Sequence, residues 1–161
     1  MRKRSKYRPK GVILDPVGYV LEGMEPVASH GSYLLDLRIK NHAAMTALTR
    51  GKATRADMDK LISMVNVSEA LHRKGFGTDY TEILRVGMDA LYDVGRRGAP
   101  TNKFILKAAE MHALNSLMEL HDAQMDVVTV KDIEQALVLV QRELQAKKVR
   151  FIVPKDEEKS K

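Results

Sequence analysis

The chain contains no cysteine and no tryptophan, and only three Phe and five Tyr among its 161 residues. Without thiols, disulfide staples, thiolate zinc sites and cysteine nucleophiles are excluded, and a reducing compartment is permitted. No apolar run approaches the roughly 18 residues of a membrane span, and the N-terminus is too charged for a signal peptide. These absences predict a soluble, cytoplasmic protein with no membrane partner. A chain of this length buries roughly 70% of its unfolded surface, enough for one domain that needs no metal or disulfide.

What charge there is lies unevenly. Of the 27 Lys and Arg, six (Arg2, Lys3, Arg4, Lys6, Arg8 and Lys10) fall in the first ten residues with no acid among them, leaving 21 against 21 Asp and Glu in the remainder. The net charge of +6 therefore belongs to an arm, and the body is neutral. Mutually repelling cations with Pro9 and Gly11 predict a disordered arm over residues 1–12, the segment best suited to contact DNA or RNA phosphates.

From residue 13 to 153 the pattern is helical. Asp15-Pro16 reads as an N-cap followed by Pro in the first turn, opening a helix through about Met24 that Glu25-Pro26 ends. Ser32 is placed to cap a second helix carrying Leu34, Leu35, Leu37, Ile39, Ala43, Ala47 and Leu48 up to Gly51. Thr54-x-x-Asp57, Asp79-x-x-Glu82 and Thr129-x-x-Asp132 have capping-box spacing and open a third, fourth and last helix. Between the last two lies a segment over about 102–126, with apolar stripes that include Phe104, Leu106, Met111, Leu117, Met118 and Met125. An apolar arc so broad predicts packing on both sides and a central position. Short connections favour antiparallel neighbours. The expected fold is all-α: a single-domain bundle of five or six helices, with a short extended C-terminal segment near Val149–Val153 and a frayed polar tail over 154–161.

Catalytic and metal-binding constellations are scarce. Glu69-x-x-His72 has the spacing of carboxylate-bridged di-iron bundles, but no second pair exists, and a surface ion pair is the better reading. His121 aligns with Met118 and Met125, as a buried side chain satisfied by one hydrogen bond rather than a general base. There is no Gly-x-Ser-x-Gly elbow, His-Glu-x-x-His or Walker loop, and Gly75-Phe76-Gly77-Thr78 reads as a helix-terminating turn rather than a phosphate cradle. No cofactor and no catalytic residue is expected. The basic clusters Arg50/Lys52, Arg73/Lys74, Arg96/Arg97 and Lys147/Lys148 lie at helix C-termini, where the dipole favours cations. Arg50, Lys52 and Arg55, beside the start of the third helix, are the candidate anion-binding group. The nine methionines read as core filler.

Lys6-Tyr7-Arg8-Pro9-Lys10, together with the run Asn41-His42-Ala43-Ala44-Met45-Thr46-Ala47-Leu48-Thr49-Arg50-Gly51-Lys52-Ala53-Thr54, resembles a family of small helical proteins encoded in phages and prophages of proteobacteria. The resemblance spans most of the chain and its motifs are structural. It implies an accessory protein that acts by binding. Two readings follow: a non-enzymatic modulator, most often an inhibitor, of a host or phage protein that handles nucleic acid or serves in defence; or a protein that binds nucleic acid directly through its arm. Self-association is a third possibility.

Overall fold

A computed structural model describes residues 15–149. The arm over 1–12, the segment Phe151–Val153 and the tail lie outside the described residues. Among those described there are six α-helices: α1 (Pro16–Met24), α2 (Gly31–Thr49), α3 (Arg55–Arg73), α4 (Thr81–Gly98), α5 (Ala108–Val127) and α6 (Val130–Gln145), with no strand.

Where helix ends are encoded locally, they fall where the sequence places them. Asp15 accepts a hydrogen bond from Gly18 N and Pro16 opens α1. Thr54 with Asp57 and Thr129 with Asp132 form reciprocal capping boxes at α3 and α6. Three ends differ. At α2 the N-cap is His30 rather than Ser32, which lies inside the first turn. Asp79 does not cap α4: Gly77 at φ +81° starts a single 3-10 turn, Thr78–Tyr80, and the helix proper begins at Thr81. The fifth helix starts at Ala108, not near 102, because Phe104 is drawn out of helical register into the core beside Gly98. A Cβ on Gly98 would lie 2.3 Å from the Phe104 ring, so this contact requires glycine.

The main core joins the second half of α2 to α3, α4 and α5, through residues that include Leu48, Leu61, Leu91, Val94, Leu114 and Leu117. Gly87 lets α4 and α5 approach closely, since a Cβ there would meet the Leu117 side chain at 2.6 Å. Five methionines (Met45, Met58, Met64, Met118 and Met125) are buried, as expected of core filler, whereas Met24 is 64% exposed. Centrality is shared: α5 packs on α2, α3 and α4, whereas α3 touches α2, α4, α5 and α6. A smaller core of Leu34, Leu71, Met125, Val128 and Ala136 seats α6 against the ends of α3 and α5.

Buried polar groups fasten this frame. Ser68 Oγ donates to Gln124 Oε1 at 2.7 Å, while Gln124 Nε2 donates to the Ser68 and Phe76 carbonyls. The α1–α2 and α5–α6 connections are stapled to each other by Val27 N to Val128 O (2.9 Å) and Val130 N to Glu25 O (3.0 Å), around an isolated antiparallel bridge between Pro26 and Thr129. This staple joins the connections that flank α1 and α6, and the two helices pack on each other.

Candidate functional site: an apolar groove with a polar floor

Helix α1 packs on α6. Its residues Tyr19, Val20 and Gly23 form one wall of an open groove, the first half of α2 forms another, and α6 contributes Ile133, Leu137 and Val138. Met64 and Val67 of α3 and His121 and Met125 of α5 complete the lining, and the groove encloses about 1310 Å³. Much of it is apolar and open to solvent. Tyr33 is 83% exposed, and on the opposite side of the same helix, outside the groove, Leu35 and Ile39 are 57% and 55% exposed. The first half of α2 is thus apolar on both faces, the pattern of a helix that is covered on both sides.

Two polar side chains line the groove from within the fold. Asn41 is 5% exposed and His121 3%. Neither Asn41 Nδ2 nor His121 Nδ1 has a hydrogen-bond partner among the described residues. The sequence expectation that His121 is buried holds; that a hydrogen bond satisfies it does not extend to Nδ1. Burial pushes the His121 ring down to about 4, with the Asp122 carboxylate opposing the shift and Arg38 and His42 adding to it. Asp122 itself is shared, taking His42 Nε2 at 2.8 Å and lying 3.6 Å from Arg38 Nε. The His42–Asp122 pair has the form of an oriented general base. It lies off the groove lining, however, and Thr46 Oγ1 on the next turn donates to the His42 carbonyl, not to the ring.

The residues singled out from sequence are dispersed. Glu69 takes Arg73 at 2.6 Å within α3, while His72 Nδ1 donates to the Gly77 carbonyl at 3.0 Å and Nε2 lies 3.1 Å from Thr81 Oγ1, so Glu69 and His72 have separate partners and only His72 links α3 to α4. Among the described residues no group of three His, Asp or Glu is arranged to hold a metal. The same His72 bond, with that from Gln124 to Phe76, pins the Gly75-Phe76-Gly77 turn from both sides. Lys74 pairs with Asp132, and Arg97 holds Glu110 bidentately at 2.7 Å, lowering the Glu110 carboxyl below its ordinary range.

Arg50, Lys52 and Arg55 are all exposed around the α2–α3 turn. The α3 N-terminus beside them already carries a carboxylate: Asp57 accepts from Thr54 N at 3.0 Å, and hydrogen bonds from Thr54 and Lys60 draw its carboxyl down to about 2. Arg2, Lys3, Arg4, Lys6, Arg8 and Lys10 lie outside the described residues. Among the described residues no helix is long and apolar enough to cross a membrane.

Sequence reasoning passed over the groove. Its signal was the surplus of apolar residues in 33–39, too many for a helix with a single neighbour. Compared with known proteins, the chain matches no protein-family model, no curated protein and no solved structure.

Proposed function

We propose that this chain is a phage-type accessory protein, cytoplasmic and without catalytic activity of its own, that binds and inhibits a host protein of the nucleic-acid-handling or defence machinery. The observation that carries the reading is the first half of α2, with Tyr33, Leu35, Leu37 and Ile39 exposed on two faces of one helix. Apolar surface so disposed gains most when a partner protein removes it from water. A neutral body with abundant apolar surface suits recognition of a protein better than recognition of a polyanion.

The test is capture of partners by tagged full-length protein from a lysate of the bacterium that carries the gene, half of it treated with nuclease. A specific protein is expected in both halves, and Leu35→Glu with Ile39→Glu is expected to abolish its recovery. Recovery unchanged in that double variant rejects α2 as the docking element.

The arm supports a second reading, direct and largely sequence-nonspecific binding of DNA or RNA. Six phosphate contacts give a log–log salt slope near about −5. Deleting residues 1–12 removes such binding while leaving protein capture intact. A self-associating form that uses the same α2 face is read from the solution mass of wild type against the double variant.

A further inference from the structure

The four buried polar side chains among the described residues divide into two pairs. Ser68 and Gln124 satisfy each other across α3 and α5. Asn41 and His121 do not, although a buried polar atom without a partner costs more than a hydrogen bond gains. The second pair, unlike the first, lines the groove.

Each of the two interrupts an apolar stripe, Asn41 between Leu34 and Met45 on α2 and His121 between Met118 and Met125 on α5. Leu34, Leu37 and Asn41 recur at three- and four-residue spacing on α2, and His121 and Met125 are one turn apart on α5. With Met64 of α3 they line one groove, in which Asn41 and His121 are the lining residues that carry a buried polar atom without a partner among the described residues. We propose that Asn41 and His121 form the head-group subsite of a binding site for a small uncharged amphiphile, an alkyl or aryl body carrying one carboxamide or hydroxyl.

The chemistry of the head follows from the two atoms. Asn41 Nδ2 is a donor and requires an oxygen that accepts. A neutral imidazole presents one ring nitrogen as acceptor and the other as donor, so with the proton on Nε2, His121 Nδ1 accepts. A carboxamide meets both needs with its carbonyl and its N–H, and a hydroxyl meets both with one atom. A carboxylate does not suit the floor, where it would lose its water and find no cation free of another partner: Arg38 is bound to Asp122 and Asp126. Exposed cations that line the groove, Lys40, Lys131 and Arg142 among them, hold a carboxylate better toward solvent. An extended peptide would bring a row of backbone groups to walls that are mostly apolar. A partner's helix, its backbone already paired, remains the competing occupant.

Full-length protein is titrated calorimetrically with octanamide, 1-octanol and octanoate at pH 7.5, using wild type, Asn41→Leu and His121→Phe. Octanamide and octanol are expected to bind at a single site, with octanoate at least about tenfold weaker. Each substitution is expected to weaken octanamide about tenfold, the scale of one well-made buried hydrogen bond. The His121 ring resonances are expected to shift on octanamide addition in wild type. Equal affinity in wild type and Asn41→Leu overturns the head-group assignment and leaves a nonspecific apolar surface. No binding to wild type overturns the site and leaves the groove to a partner's helix. Should His121→Phe fail to fold, Asn41→Leu decides alone. The Leu35 and Ile39 variants lie outside the groove, so partner capture and ligand binding fail independently.

Discussion

Two ends of the same bundle use apolar residues in opposite ways. Where α3, α4 and α5 meet, the fit is so close that Gly87 and Gly98 have no room for a methyl group against Leu117 and Phe104. Where α1, the start of α2 and α6 meet, Val20, Tyr33, Leu37 and Leu137 remain open to water. The tight end derives stability from packing, and the open end holds surface in reserve for something outside the fold.

The largest effect that can break this contrast is a cavity at the tight end. Leu117→Ala is expected to cost about 3–4 kcal/mol in urea unfolding, whereas Leu37→Ala in the groove wall should stay within about 0.5 kcal/mol. Similar costs at the two sites would mean that both ends are equally packed.

Acid comes next. The His121 ring titrates near 4 in the fold and near 6.5 when free, so between these values the unfolded chain binds more protons and stability falls as pH drops. Full above pH 6.5, that contribution is lost by up to about 3 kcal/mol on approaching pH 4. Unfolding at pH 7 and pH 4.5 measures it, and His121→Phe should flatten this part of the slope. A wild-type slope unchanged by the substitution places the titrating group elsewhere.

A smaller change, of opposite sign, sharpens the comparison. Asn41→Leu removes an unpartnered buried donor and is expected to stabilise the protein by about 1 kcal/mol, read as a raised melting temperature. Destabilisation would show that Asn41 serves the fold. The smallest expected effect is at Leu35 and Ile39, where Leu35→Glu with Ile39→Glu should leave unfolding within about 0.5 kcal/mol of wild type while partner capture is lost.

Legibility in the sequence followed locality. Asp15-Pro16 and the Thr54 and Thr129 boxes bond within their own first turns, and the helices they open begin where the sequence places them. Asp79 also has the right spacing, but contacts across the α3–α4 turn, from His72 to Gly77 and Thr81, impose a 3-10 turn first. Phe104 has helical periodicity with its successors yet packs on Gly98, a contact that periodicity does not encode. The groove was least legible because it depends on where α1 docks, and that involves contacts with α6 and its connection that lie far apart in sequence. His121 shows the limit most clearly: its burial was readable from the Met118 and Met125 stripe, but the missing partner of Nδ1 was not.

Those two connections have a kinetic consequence. The Val27–Val128 and Val130–Glu25 hydrogen bonds join segments about a hundred residues apart, and with the Tyr19–Glu134 hydrogen bond they close the longest loops among the described residues. Contacts of such separation incur the greatest chain-closure entropy and form after local helix pairing has shortened the path between their ends. The wall formed by α1 is therefore expected to be the last part of the molecule to form during folding and, in native-state hydrogen exchange, the first to open.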